Sequence, residues 1–140
     1  MFMYQRIYNA YLNLTKGDQA ELKRCNLKKL ANCPAYFRVL KISGAKDSMQ
    51  TQRILFLLTS IDVAIEPESD SVATALLKAG VKETQIIQIT RSGDNAVEYL
   101  KRQLIRCKKV NLSSLGKLSQ YWGEQARRDL LKEFILAEQD

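Results

Sequence analysis

The stretch Thr84-Gln85-Ile86-Ile87-Gln88-Ile89-Thr90 decides the fold class. Three isoleucines and two threonines in seven residues suit a strand, and nothing else in the chain reads as strand so strongly. A strand needs a partner, however, and no second segment is available to pair with it. The neighbouring segments carry helical spacing, so the segment reads as helix and the whole chain as all-α. Six glycines and two prolines also leave little turn chemistry for a protein of many short strands.

Working outward, Ser71 to Ala79 precedes this segment and stops at Gly80, and the segment itself, about Lys82 to Arg91, stops near Gly93. Asp94 to Cys107 follows, with Val97, Leu100, Leu104 and Cys107 on one face. A short helix from about Leu112 to Tyr121 precedes a closing one, about Gly123 to Glu138. Leu130, Leu131, Phe134, Ile135 and Ala137 are its expected buried side, and Tyr121 and Trp122 are expected core anchors. Towards the N-terminus, Glu66-Pro67-Glu68-Ser69-Asp70-Ser71 joins a helix breaker to acidic and small polar residues. Before it, Ile54, Leu58, Ile61 and Ile65 recur at 4, 3, 4 spacing and predict a long helix over about Ser48 to Ile65, capped by Asp47 with Gln50. Pro34 suits the first turn of a helix ending near Gly44. Gly17 is expected to end a first helix of about Tyr4 to Leu14, and Asp18 with Glu21 to open the second as a capping box. The expected architecture is two small helical bundles of about eight or nine helices in all. They span 1–65 and 71–140, with an acidic linker at 66–70.

Composition narrows the function. A net charge of +7 and a pI near 9.4 favour a polyanionic partner, with nucleic acid the usual one. There is no histidine, which removes the commonest general base and metal ligand. Cys25, Cys33 and Cys107 form no CxxC pair, and their odd number suits reduced thiols. No glycine-rich phosphate loop, nucleophile–base pair or acidic cluster suited to magnesium is present, so the chain reads as a binding protein without cofactor. The longest apolar run, Ile54 to Leu58, is far short of the roughly 20 residues that cross a bilayer, and the opening residues lack the layout of a signal peptide. A cytoplasmic protein with no membrane partner is the expectation.

The charges are segregated. Lys16, Lys23, Arg24, Lys28, Lys29, Arg38, Lys41, Lys46 and Arg53 stand against only three acids between residues 16 and 53. Lys101, Arg102, Arg106, Lys108, Lys109 and Lys117 stand against none between residues 101 and 117. Arg102 and Arg106, four apart, are expected to share a helix face with Lys101 and Lys108 beside it. Acids gather at Asp62, Glu66, Glu68 and Asp70. Faces of one sign focus a field on an extended polyanion. A solvated helix face would show the same pattern. A helix-turn-helix reader around Gly123 is disfavoured, because Glu124, Asp129 and Glu133 would face phosphates.

Two stretches at opposite ends carry a family resemblance. One is KGDQAELKRC (16–25) with PAYFRVL (34–40); the other is LKRQL (100–104) with YWGEQARRDLLKEFIL (121–136). Their order and spacing, from about Tyr8 to Leu136, resemble the small subunit of type I-E CRISPR Cascade, the CasB family. The resemblance implies an all-α, non-catalytic protein that assembles with the backbone and large subunits and the CRISPR RNA complex. It further implies a second copy of itself in the complex and contact with the displaced, non-target DNA strand of the R-loop. The family's basic positions carry over to Arg24, Arg102, Arg38 and Arg127, whereas Glu124 and Gln125 depart from the pattern and leave Arg127, Arg128 or Lys132 to serve that corner. Charge blocks and resemblance together nominate Lys23, Arg24, Arg38, Arg53, Lys101, Arg102, Arg106, Lys108, Lys109, Arg127 and Arg128 as nucleic-acid contacts. The rival readings are a stand-alone helical adaptor for acidic protein surfaces and a DNA-binding regulator.

Overall fold

The isoleucine-rich segment is helix. In the computed structural model, which describes residues 1–138, it forms α7 (Glu83–Arg91) with Ile86 and Ile89 buried. Ten α-helices run along the described residues, slightly more than expected. The others are α1 (Met3–Leu12), α2 (Lys16–Arg24), α3 (Leu27–Leu30), α4 (Pro34–Ser43), α5 (Met49–Leu58), α6 (Val72–Lys78), α8 (Ala96–Leu104), α9 (Leu112–Gln120) and α10 (Glu124–Ala137). Gln139 and Asp140, the end of the expected second bundle, lie outside the described residues.

Local chemistry sets most helix ends. Pro34 occupies the first turn of α4, which stops where Gly44 takes the left-handed φ of 73°. Ser71 caps α6 through the Thr74 N–H at 3.2 Å. Two caps differ from the sequence reading. Thr15, not Asp18, caps α2, its hydroxyl accepting from the Asp18 N–H at 3.1 Å. Gly17 therefore lies inside the first turn, and the Asp18 carboxylate is left to pair with Arg38. Ser48, not Asp47, caps α5. Asp47 instead accepts from the Tyr36 hydroxyl at 2.7 Å and from Gln52 at 3.0 Å. Tyr36 is wholly buried, so its hydroxyl needs that acceptor more than the helix end needs a second cap.

The long helix expected over 48–65 ends at Leu58. Thr59 is extended, its hydroxyl turned back onto the Phe56 carbonyl at 2.9 Å, and Ser60 takes a positive φ of 66°. The chain beyond forms β1 (Val63–Ala64), which pairs in parallel with β2 (Val110–Asn111) and ties the acidic segment to the approach of α9. Ile61 is consequently only half-buried, and Ile65 is 71% exposed.

The core is one continuous cluster from Tyr4 to Phe134. α1 packs on α4, α5 and α9, and α10 packs on α6 and α7. Thus α9, from the second half of the chain, lies on helices of the first. Only Leu130 and Phe134 of α10 are fully buried, while Ile135 is exposed, because α10 rests on its neighbours along one narrow stripe. Trp122 is buried as expected; Tyr121 is not, being 64% exposed.

Candidate nucleic-acid interface

The basic residues divide among three settings. The first is a cleft of about 260 Å³ between the end of α2 and the outer side of α8, lined by Lys23, Arg24, Cys25, Phe56, Lys101 and Arg102 among others. Lys23 and Arg24 fall in the last turn of α2, where the carbonyl ends of the helix favour cations. Leu22 of the same turn is buried and pins the helix, so its two basic neighbours point outward. Val97, Leu100 and Leu104 anchor α8 in the core and leave Arg102 exposed. Two residues 78 positions apart, Arg24 and Arg102, thereby meet at one opening. Among the described residues no carboxylate pairs with Lys23, Arg24 or Arg102.

Lys101 does not stand on the expected exposed face beside Arg102. It lies against the buried stripe of α8, is 6% exposed, and turns inward. Its Nζ donates to the Phe56 carbonyl and to Thr59 Oγ1, both at 2.7 Å, and sits 4.0 Å from the centroid of the Phe56 ring. Burial pulls its pKa down to about 8. It forms part of the floor of the cleft and does not present itself on the surface.

The second setting is a cleft lined by Arg106, Lys108, Lys109 and Lys78 with Asp70, Ala75 and Ala79. Because α8 ends at Leu104, Arg102 and Arg106 do not share a helical face. Arg106 turns away, donating to the Ala79 carbonyl at 3.1 Å and to Gln103 at 2.9 Å. Lys108 and Lys109 are exposed, and Lys109 holds a positive φ of 51° while its N–H donates to Asp62 at 3.1 Å. Lys78 had no sequence signal: it is a lone lysine at the end of an apolar helix, and it pairs with Asp70 at 2.9 Å.

The third setting is structural bracing. Arg53 is half-buried and donates from Nε to the Ser119 carbonyl at 2.6 Å and from Nη2 to that of Gln120 at 3.1 Å, satisfying the carbonyl end of α9. It therefore locks α5 to α9. Arg38 remains exposed but is paired with Asp18 at 2.8 Å. Arg127 is half-buried, with Cζ 5.8 Å from the Trp122 ring, and Arg128 is exposed beside Asp129 at 3.4 Å. No helix among the described residues is long and apolar enough to cross a membrane.

No protein-family model matches the chain. It is 25% identical, over 145 aligned positions, to the CRISPR system Cascade subunit CasB of Escherichia coli strain K12, and the match covers 93% of this chain and 91% of that protein. Its fold is similar to that of a chain in the crystal structure of E. coli Cascade bound to a PAM-containing double-stranded DNA target. The TM-score there is 0.84 at 22% identity, with 95% of this chain and 94% of the other covered. The motifs at the two ends of the sequence, the near full-length match and the shared fold agree: this chain is similar to the Cascade subunit CasB in sequence and in fold.

Proposed function

We propose that the chain is the CasB-like small subunit of a type I-E Cascade complex, a non-catalytic clamp that holds the displaced non-target strand and so stabilises the R-loop. The single observation that carries this reading is the meeting of Arg24 and Arg102 in one cleft, neither paired with a carboxylate among the described residues. A clamp of this kind needs charge along a path and no base-reading element, since guide pairing reads the sequence. In this reading its partners are the backbone and large subunits, the CRISPR RNA complex, target DNA and a second copy of itself, in the cytoplasm. The two bundles, 1–65 and 71–140, belong to the same proposal, with α9 as the element that couples them.

The test is Arg24→Ala combined with Arg102→Ala. Exposed basic residues contribute little to stability, so the fold and the assembly of the complex should be unchanged. R-loop lifetime in the assembled complex, at one fixed salt concentration, should shorten. For the isolated protein on single-stranded DNA, the log–log salt slope should fall by about 1.4, two phosphates at about 0.7 each. An unchanged lifetime in an intact complex would move the path elsewhere, with Lys108, Lys109 and Arg128 the next residues to replace. Tight binding to one defined operator, preserved at high salt, would favour a regulator instead.

A further inference from the structure

Lys101 is an ammonium group taken out of water with no carboxylate partner among the described residues. Removing such a charge from water costs several kcal/mol unless other groups replace the lost hydration. Two of its three N–H groups have acceptors, the Phe56 carbonyl and the Thr59 hydroxyl, and the Phe56 ring lies beside it. These are dipoles and a quadrupole, not a counter-charge. The one carboxylate lining the same cleft, Glu98, accepts from the Leu27 N–H at 3.4 Å. An apolar side chain would cover Phe56 with no desolvation cost, yet the position holds a lysine beneath a rim formed by Lys23, Arg24 and Arg102. Among the described residues the charge lacks a counterion, and the basic rim of the same cleft attracts one.

We infer that Lys101 is the buried counter-charge for a nucleic-acid phosphodiester seated between α2 and α8, so that binding at this cleft is coupled to its proton. The inference rests on the proposed strand-holding role and deepens it, naming the ligand group and the residue beneath it. With its pKa drawn down to about 8 by burial, the lysine begins to lose charge in mildly basic solution. A phosphate at the opening favours the charged form and raises that pKa. Binding therefore takes up a proton above about pH 8, and affinity falls as pH rises from there towards 10. The other titratable or charged groups facing the cleft are Lys23, Arg24 and Cys25 at the end of α2, and Glu98 and Arg102 on α8. From α5 and the residue that follows it, Lys101 meets the neutral Phe56 and Thr59.

The experiment measures the Kd of the full chain for a short oligo-dT strand at fixed ionic strength, from about pH 7 to about pH 10. The wild-type Kd should rise across that range, by about tenfold for each unit by which bound phosphate raises the lysine pKa. Lys101→Met should bind more weakly at pH 7 and show no such rise, while Cys25→Ser should keep the wild-type profile. A second measurement uses the wild-type protein alone: the NMR titration midpoint of the Lys101 side chain should climb when oligo-dT saturates the cleft. Parallel profiles for wild type and folded Lys101→Met, or a midpoint unmoved by saturating oligo-dT, would make Lys101 a pin between α5 and α8 and overturn the inference. The strand-holding reading fails separately, through unchanged oligo-dT binding by the Arg24→Ala/Arg102→Ala protein.

Discussion

Trp122→Ala is expected to lower the stability of the protein by about 3–5 kcal/mol, read as a fall in the urea midpoint at constant slope. The indole is 5% exposed and belongs to the continuous core. It sits in the tight turn between α9 and α10, where the Gly123 N–H donates to the Tyr121 carbonyl at 2.6 Å. Truncation leaves a cavity that two helices anchored elsewhere cannot close, and it strips the Arg127 guanidinium of the ring 5.8 Å away. The indole N–H has no acceptor among the described residues, so Trp122→Phe loses no hydrogen bond and should cost far less than Ala. A Trp122→Ala protein as stable as wild type but defective in binding single strands would show instead that the ring is a stacking platform.

Gly116→Ala is expected to destabilise by about 1–3 kcal/mol, opposite in sign to what helix propensity gives. In a helix interior, Gly to Ala ordinarily gains roughly 1 kcal/mol. At this position a Cβ would fall inside van der Waals contact of Tyr4 Cγ, 2.5 Å from Cδ2 and 2.6 Å from Cβ. Tyr4 cannot step aside. It is 1% exposed, its ring stacks on Phe2 at 5.4 Å, and its hydroxyl donates to Ser113 at 3.3 Å. The clash must be relieved by separating α1 from α9, and that opens the core. Gly17→Ala is the matched control: its nearest neighbour would be the Thr15 hydroxyl at 3.9 Å, so it should gain roughly 0.5–1 kcal/mol. Thermal midpoints of the two variants, measured side by side, check the contrast in sign. Two stabilised proteins would mean that α1 and α9 do not approach as closely as described.

Much of this fold could be read along the chain, because helix starts and stops depend on residues near them. Pro34, Gly44, Ser71 and Gly80 mark ends where the structure has them. The misreadings are equally local in appearance but tertiary in cause. Asp47 looks like a cap until a buried tyrosine hydroxyl claims it. Ile61 and Ile65 continue an apolar period, yet β2 draws the chain away after Leu58. Four aliphatic residues near the end of α10 look alike in sequence, and only the position of α6 and α7 selects Leu130 for burial over Ile135.

The sequence by itself determined the helical class, the positions of most elements, the likeness to CasB and the surplus of positive charge, all of which follow from residue type and short-range spacing. Only the tertiary structure decided what each positive charge does. It brought Arg24 to Arg102, turned Arg106 towards Ala79, drew Arg53 onto the end of α9 and sank Lys101 beneath the cleft. A formal charge is a property of one residue. Whether it faces water, a carbonyl or an open cleft depends on which distant helix packs beside it, and that is set by the burial of the whole core.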